Sequence, residues 1–502
     1  MPTLRRVVAL LIFPLAALYA PAQSAPAEAS AGKISLDEAI QRALAKNFSI
    51  KVDRYDAAIA SARVTEALGK FDPVLSGRYN YGESWNPALQ DSTTGVRPAP
   101  SFSQSDDVDI GVGGVLPWGM TYELGATSTN SRGTFNAYAD NYSTFAGISG
   151  TQPLLRNFGF GSTLASIRIA QANRGISQWQ FQQSVIDTIS QVIFAYHDLN
   201  FAYANLRTAT RSRDLAAQLL AENEKRFKVG SVSEFDVTSA RSRTASREEG
   251  ILFAARGVQL AQHALQQLIS DTPNPALLSE ALVIEDSGPA PIVVVDAAAD
   301  FQIALTKRPD YQQAKLALER DRVNSRLQRN QLLPRVDLVG SYGHNGYDTD
   351  KGIARRQVQD EAYRAYSWGV VVSVPLTFTT ERGRYRAARL QQQQAETSLA
   401  QVEQNIVVQV GNAAGQVETT QKRIHVTRRA RELAQSTLDA EAKRFRAGQS
   451  STFFVSQQQE ILTEAEIREA LAQSDYHKAL AEYDRQLGVT LEKLNVKLEM
   501  PK

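Results

Sequence analysis

The residues of this chain whose types and spacing invite a chemical reading lie in two short blocks. RFKVGSVSEFDV begins at Arg226, and RFRAGQSSTFFV begins at Arg444, 218 positions later (444 − 226). Arg226, Phe227, Gly230, Ser233, Phe235 and Val237 are matched by Arg444, Phe445, Gly448, Ser451, Phe453 and Val455. A tight helix-to-helix turn favours a glycine able to adopt positive φ, so both blocks read as helical hairpin tips. The plainer reading, a turn glycine beside a packed phenylalanine, stays open for each residue.

Bond-making chemistry is absent from the motifs. The sequence has no Gly-x-x-x-x-Gly-Lys-[Ser/Thr] phosphate loop, no His-Glu-x-x-His zinc helix and no Gly-x-Ser-x-Gly nucleophile elbow. Its five histidines (His197, His263, His344, His425, His477) are dispersed. There is no cysteine, which excludes disulfides, thiolate metal sites and cysteine nucleophiles. No enzyme, cofactor or metal is therefore expected. The 55 basic and 53 acidic residues nearly cancel, leaving no electrostatic footprint for nucleic acid.

The elements that position the tips are themselves duplicated. FDPVLSGRYNYG (Phe71 to Gly82) returns as LLPRVDLVGSYG (Leu332 to Gly343), and TFAGISGTQPL (Thr144 to Leu154) as YSWGVVVSVPL (Tyr366 to Leu376). Ala43, Leu44 and Lys46 align with Ala304, Leu305 and Lys307 at the offset that relates Pro73 to Pro334 (334 − 73 = 261). The blocks recur in one order, so the repeat is a whole half-molecule. The expected organisation is a signal peptide over 1–22, a first half over 34–270, a connection over 271–300, a second half over 301–491 and a tail over 492–502.

Each half reads as helix, strands, very long helix, tip and shorter helix. From about Gly161 to Phe227, and from about Gly383 to Phe445, no proline and little glycine interrupt the pattern, and roughly 65 residues give a rod of about 100 Å. Val185, Ile189, Val192, Tyr196, Leu199, Tyr203 and Leu206 alternate spacings of four and three; Val410, Ala413, Val417, Thr420, Ile424 and Thr427 do nearly the same. That period predicts helix-on-helix seams. Lead-in helices over about Leu36–Gly69 and Ala298–Leu333, stacked on returns over Glu234–Ile269 and Thr452–Leu487, would match the rods in length. The connection is expected to hold one short strand at Ile292 to Val295.

Leu75, Gly77, Tyr79 and Tyr81 alternate with polar residues, and Trp368, Val370, Val372 and Val374 alternate with Gly369, Val371 and Ser373. Such dyads of about ten residues suit a transmembrane β-barrel, whose closure satisfies every backbone group in lipid. A soluble β-sandwich shares the alternation. The segments SWNPALQDSTTGVRPAPSFSQSDD and HNGYDTDKGIARRQVQDEAYR are expected as outward loops, and Leu116-Pro117-Trp118-Gly119 turns an extra hairpin in the first half. Arg5 and Arg6 before VVALLIFPLAALYA, with Ala20-Pro21-Ala22 beyond, form a signal-peptide pattern.

This ordered set resembles the TolC-type outer-membrane factors, from Ile34 to about Leu491. It is carried by the two Arg-Phe-x-x-Gly tips, by Lys307-Arg308-Pro309-Asp310-Tyr311 and by Gln152-Pro153-Leu154-Leu155-Arg156. The resemblance implies an α+β membrane protein whose duplicated half-repeats form, as a homotrimer, an outer-membrane β-barrel continued by a long periplasmic α-helical barrel. It implies a passive gated exit duct of a tripartite efflux pump or type I secretion system, passing small molecules or proteins. Its partners would be a periplasmic adaptor protein and, through it, an inner-membrane pump that supplies the energy. Four strands per chain would give the family's wall of about 12 strands, and the extra hairpin would raise this to about 18 if both its strands entered.

On the same resemblance, Arg226, Phe227, Val229, Gly230, Arg444, Phe445, Ala447 and Gly448 are candidates for adaptor contact. Family members often close the periplasmic mouth with acidic side chains beyond the second tip. Here Phe453, Phe454 and Gln457 stand there, and Asp236 lies beyond the first tip. These four are the aperture candidates, with Phe454 expected to line the closed mouth. The competing reading is a non-conducting periplasmic coiled-coil protein bridging envelope layers, which explains the rods but neither the aromatic strands nor the turn at each tip.

Overall fold

The computed structural model describes residues 33–498 apart from 272, 274, 276–281, 286–287 and 289–290. The expected signal peptide lies outside the described residues. The first half runs through α1 (Leu36–Lys46), α2 (Phe48–Leu68), β1 (Val74–Asn86), β2 (Ser101–Val115), β3 (Thr121–Gly133), β4 (Tyr142–Pro153), α3 (Gly159–Thr163), α4 (Ala165–Lys228) and α5 (Glu234–Ile269). The second runs through α6 (Ala297–Lys307), α7 (Pro309–Asn330), β5 (Arg335–Asp348), α8 (Lys351–Gln359), β6 (Tyr363–Ser373), α9 (Thr379–Arg446), α10 (Thr452–Leu487) and α11 (Thr490–Lys493).

The long rods α4 and α9 have 64 and 68 residues, and the return helices α5 and α10 start and stop where the sequence pattern places them. Val185, Ile189, Val192, Tyr196 and Leu199 of α4 are buried, as are Val410, Ala413, Val417 and Thr420 of α9. Across the chain, α2 and α5 pack on α4, which packs on α7 and α10, which pack on α9. Two edges are left, α9 on one side and the α2–α5 stack on the other. No described helix is long and apolar enough to cross a membrane.

Each lead-in helix is broken in two, at Asn47 and at Arg308, where continuous helices were expected. These residues are equivalents at the repeat offset (308 − 47 = 261). The Asn47 Oδ1 accepts from the Ser49 and Ile50 amides and so caps α2. Arg308 is held extended by the following Pro309, which opens α7. Each break also grips the end of a return helix: Asn47 Nδ2 donates to the Leu268 carbonyl at 3.0 Å, and Arg308 Nη1 to the Gln486 carbonyl at 3.3 Å.

Two loop expectations are corrected. Ile292 to Val295 form no strand; the connection instead pairs in parallel at Ile284 with Ile34, where Tyr196 and Tyr203 of α4 reach the Glu285 and Leu282 carbonyls at 2.7 Å. Ile292 and Val294 are exposed; the run is held at its ends instead, with Tyr476 of α10 donating to the Pro291 carbonyl at 2.7 Å and Val295 packed on the second-half core. The outward segments are also more ordered than their polarity suggests. β1 and β2 extend through polar residues to Asn86 and Ser101, and α8 stands between β5 and β6, capped by Asp350. An apolar dyad marks the part of a strand that meets lipid, not its full length.

All six strands form one antiparallel sheet in chain order, β1-β2-β3-β4-β5-β6. Residues directly opposite in a ladder share a face. One level reads Leu75, Val112, Leu124, Ile148, Tyr342, Tyr366 across the sheet, and all six are exposed. The next level, on the opposite face, reads Ser76, Gly111, Gly125, Gly147, Gly343, Ala365. The fold is therefore an α+β arrangement with an apolar sheet face, a polar or small one, and rods beneath.

Candidate functional site: the two hairpin tips

Both tips end their rods in the same way. After α4, the Gly230 amide donates to the Phe227 carbonyl at 2.9 Å and the Ser231 amide to the Arg226 carbonyl at 2.8 Å. After α9, the Gly448 amide donates to Phe445 at 3.0 Å and the Gln449 amide to Arg444 at 2.9 Å. This pair of bonds needs a left-handed residue just past the helix, and Gly230 (φ 73°) and Gly448 (φ 80°) supply it. The repeat of Gly three residues after Phe is thus a backbone requirement met twice.

The side chains diverge. Phe227 and Val229 are exposed, whereas Phe445 is 3% exposed. Arg226 crosses to the second tip: its guanidinium carbon stands 4.2 Å from the Phe445 ring centre, its Nη1 donates to the Phe445 carbonyl at 3.1 Å, and its Nη2 pairs with Glu222. Arg444 turns back to Glu441 on its own helix at 3.2 Å. Ala447 caps α9, exposed beside Gly448. A groove of 540 Å³ separates the tips, lined by Arg226, Ser231, Asp236, Phe445, Ser450 and Thr452.

Of the aperture candidates, Asp236 is occupied in a capping box with Ser233, accepting from its amide at 3.1 Å and its hydroxyl at 2.7 Å. Phe453 and Phe454 are exposed and meet edge to face with centroids 5.6 Å apart; Gln457 is exposed one turn on. Two residues the sequence reading passed over belong with them. Arg243 of α5 lies 5.6 Å from the Phe453 ring centre, and Arg247 approaches Glu460 of α10 at 3.7 Å. They border a groove of 390 Å³ shared by α4, α5 and α10. Arginine on an exposed helix face is commonplace, so no sequence signal singles them out.

Among the described residues no group of three or more His, Asp or Glu could hold a metal ion. The two grooves described here are open and polar, bordered by arginine, serine and phenylalanine side chains that suit contact with another surface.

The profile of the outer membrane efflux protein family matches residues 39–270 and 301–489. The chain belongs to the outer membrane efflux protein family. Among solved structures it is similar to the outer-membrane channel OprN at 18% identity, covering 90% of this chain and 89% of that one with a TM-score of 0.66. It is similar to the CmeC outer membrane channel of Campylobacter jejuni at 14% identity, covering 93% and 90%, TM-score 0.67. VceC of Vibrio cholerae gives 16% identity, 90% and 96%, TM-score 0.65. No curated protein sequence is significantly similar. As an outer membrane efflux protein the chain resides in the outer membrane with its helical rods on the periplasmic side, which is the TolC-type architecture its two halves resemble. The family's members are channels, and this member is an efflux duct component.

Proposed function

We propose that three copies of this chain close into a passive, gated exit duct, docked through its tips on a periplasmic adaptor and driven by an inner-membrane pump that passes small molecules or proteins. The observation that carries the reading is the pair of unpaired edges, β1 and β6, on a sheet with one apolar face. Open edges are not tolerated in lipid, so β6 must pair with β1 of another copy. With six strands in alternating direction the first and last run antiparallel, the orientation that such a closure requires.

The rods support the same head-to-tail closure. Leu390, Val408 and Val426 are exposed on the α9 edge, and Tyr55, Ile59 and Phe253 on the α2–α5 edge. Two different surfaces that meet around a closing rotation make a ring. The half-repeats, 34–270 and 301–491, would each contribute one rod, one stacked return and one tip.

At the tips, Phe227 and Val229 offer apolar contact to the adaptor, with Arg444 and Ala447 beside them. Arg226, Gly230, Phe445 and Gly448 hold the tips in shape. Phe454, with Phe453, Gln457 and Asp236 nearby, lines the closed aperture, and apolar crowding rather than charge narrows it. In a strain lacking the native gene, Phe227→Asp should insert in the outer membrane normally yet fail to restore drug resistance or secretion; full restoration would contradict adaptor docking there. Phe454→Ala should raise single-channel conductance in a planar bilayer, and unchanged conductance would remove Phe454 from the aperture.

A further inference from the structure

The inserted hairpin β2–β3 has no counterpart in the second half, where only the short helix α8 stands between β5 and β6. It could line the wall, plug the bore or lie outside it, and its side chains decide among these. Val108, Ile110 and Val112 of β2 and Tyr122, Leu124 and Ala126 of β3 lie on the face that carries Leu75, Tyr79, Tyr342 and Tyr366. Asp107, Asp109, Glu123, Thr127 and Thr129 lie on the other. A plug bathed in water would not present an apolar face continuous with the lipid-facing one. β2 also pairs along its length with both β1 and β3, and β3 with β4, so removing the hairpin from the wall would break the β1–β2 and β3–β4 ladders and force β1 onto a new partner.

Resting on the threefold duct proposed above, we infer that its membrane section is a wall of about eighteen strands, six from each copy, not the about twelve that the family resemblance implies. At a strand spacing of about 4.8 Å and a tilt of about 40°, the backbone diameter rises from about 24 Å to about 36 Å. The helical section keeps the rods of a two-tip chain, so the duct flares as it enters the membrane. On the polar face the level Ser76, Gly111, Gly125, Gly147, Gly343, Ala365 carries almost no side chain of its own. Phe145 folds over Gly147 and Gly343, where a Cβ would come 2.7 Å from its ring, and Glu123 leans over Gly111 at 3.3 Å. A wall this wide, with so few side chains at that level, leaves selection by size to the periplasmic tips.

Because the chain contains no cysteine, paired cysteines report the wall directly. Tyr81→Cys with Asp106→Cys and Ser128→Cys with Thr144→Cys place partners in register and should each give an intrachain disulfide in protein recovered from outer membranes. If the hairpin left the wall, β1 would pair with β4 as β5 pairs with β6, joining Tyr81 to Thr144 by the repeat. A disulfide in Tyr81→Cys with Thr144→Cys, and none in the other two pairs, would overturn the inference. Electron cryomicroscopy of the unaltered protein in nanodiscs separates the two levels and needs no variant. A threefold particle with about eighteen strands upholds both; a threefold particle with about twelve rejects the wide wall and leaves the duct; a particle without threefold symmetry rejects the duct reading itself.

Discussion

Arg226 of the first tip and Phe445 of the second form one contact, with the guanidinium carbon 4.2 Å from the ring centre and Nη1 bonded to the Phe445 carbonyl. The sequence equivalents behave otherwise: Arg444 stays with Glu441, and Phe227 is exposed. A repeated motif is used once as a tie and once as a surface. Arg226→Ala should therefore lose about 1–2 kcal/mol locally, whereas Arg444→Ala should change stability by less than about 0.5 kcal/mol. Limited proteolysis checks this: the Arg226 variant should be cut faster at the tips, and equal rates for the two variants would deny the tie.

Arg308 is 8% exposed and fully engaged, with Gln486, Gln409 and a bidentate Asp310 around it. Arg308→Ala removes the fork from Asp310, which keeps only the Tyr311 amide, and the donor from the Gln486 carbonyl, and should cost about 1–3 kcal/mol. Arg308→Lys should recover only part, because a point charge cannot reproduce the fork. Thermal unfolding in detergent measures both; a lysine variant as stable as the parent would show that charge alone matters.

His197 is buried where α4 meets α10, stacked on His477 with centroids 4.3 Å apart, with Lys478, Asp198 and Asp475 near. Burial, then the charges of His477 and Lys478, push its pKa down from 6.5 to about 3. The folded form keeps it neutral while the unfolded chain takes up a proton below about 6.5, so its stabilisation is complete above that pH and is lost as pH falls toward 3. The expected loss is on the order of a few kcal/mol. His197→Phe should flatten the decline of stability between pH 6.5 and 4, and an unchanged slope would place the acid sensitivity elsewhere.

Gly343 faces Gly147 so closely that a Cβ there would stand 2.7 Å from the Gly147 Cα and against the Ala146 carbonyl. Gly340, on the other face, would meet only the Ser367 carbonyl at 3.6 Å. Gly343→Ala should reduce the yield of assembled protein in outer membranes several-fold, because backbone cannot give way as a side chain can, while Gly340→Ala assembles normally. Equal yields would show that the ladder relaxes there.

The sequence was most legible where one residue type satisfies one backbone demand. Gly230 and Gly448 announced the tips, and proline-free heptads announced the rods, so α5 and α10 were bounded correctly. Neither lead-in break was read: Pro309 carried a signal for the one at Arg308 that the expected continuous helix overrode, and its twin at Asn47 carried none, since asparagine caps helices and also sits inside them. The division of labour between Arg226 and Arg444 was not legible at all. It depends on which tip leans on the other, which is set by the packing of α10 on α4 rather than by local residue type.

Electron microscopy of the detergent-extracted protein tests the duct most directly. Three copies around a lumen should appear as hollow cylinders with threefold symmetry, about 130 to 140 Å long, the sum of a ~100 Å rod and a membrane section. Solid rods, or single chains with free sheet edges, would contradict a duct and favour a scaffold between envelope layers.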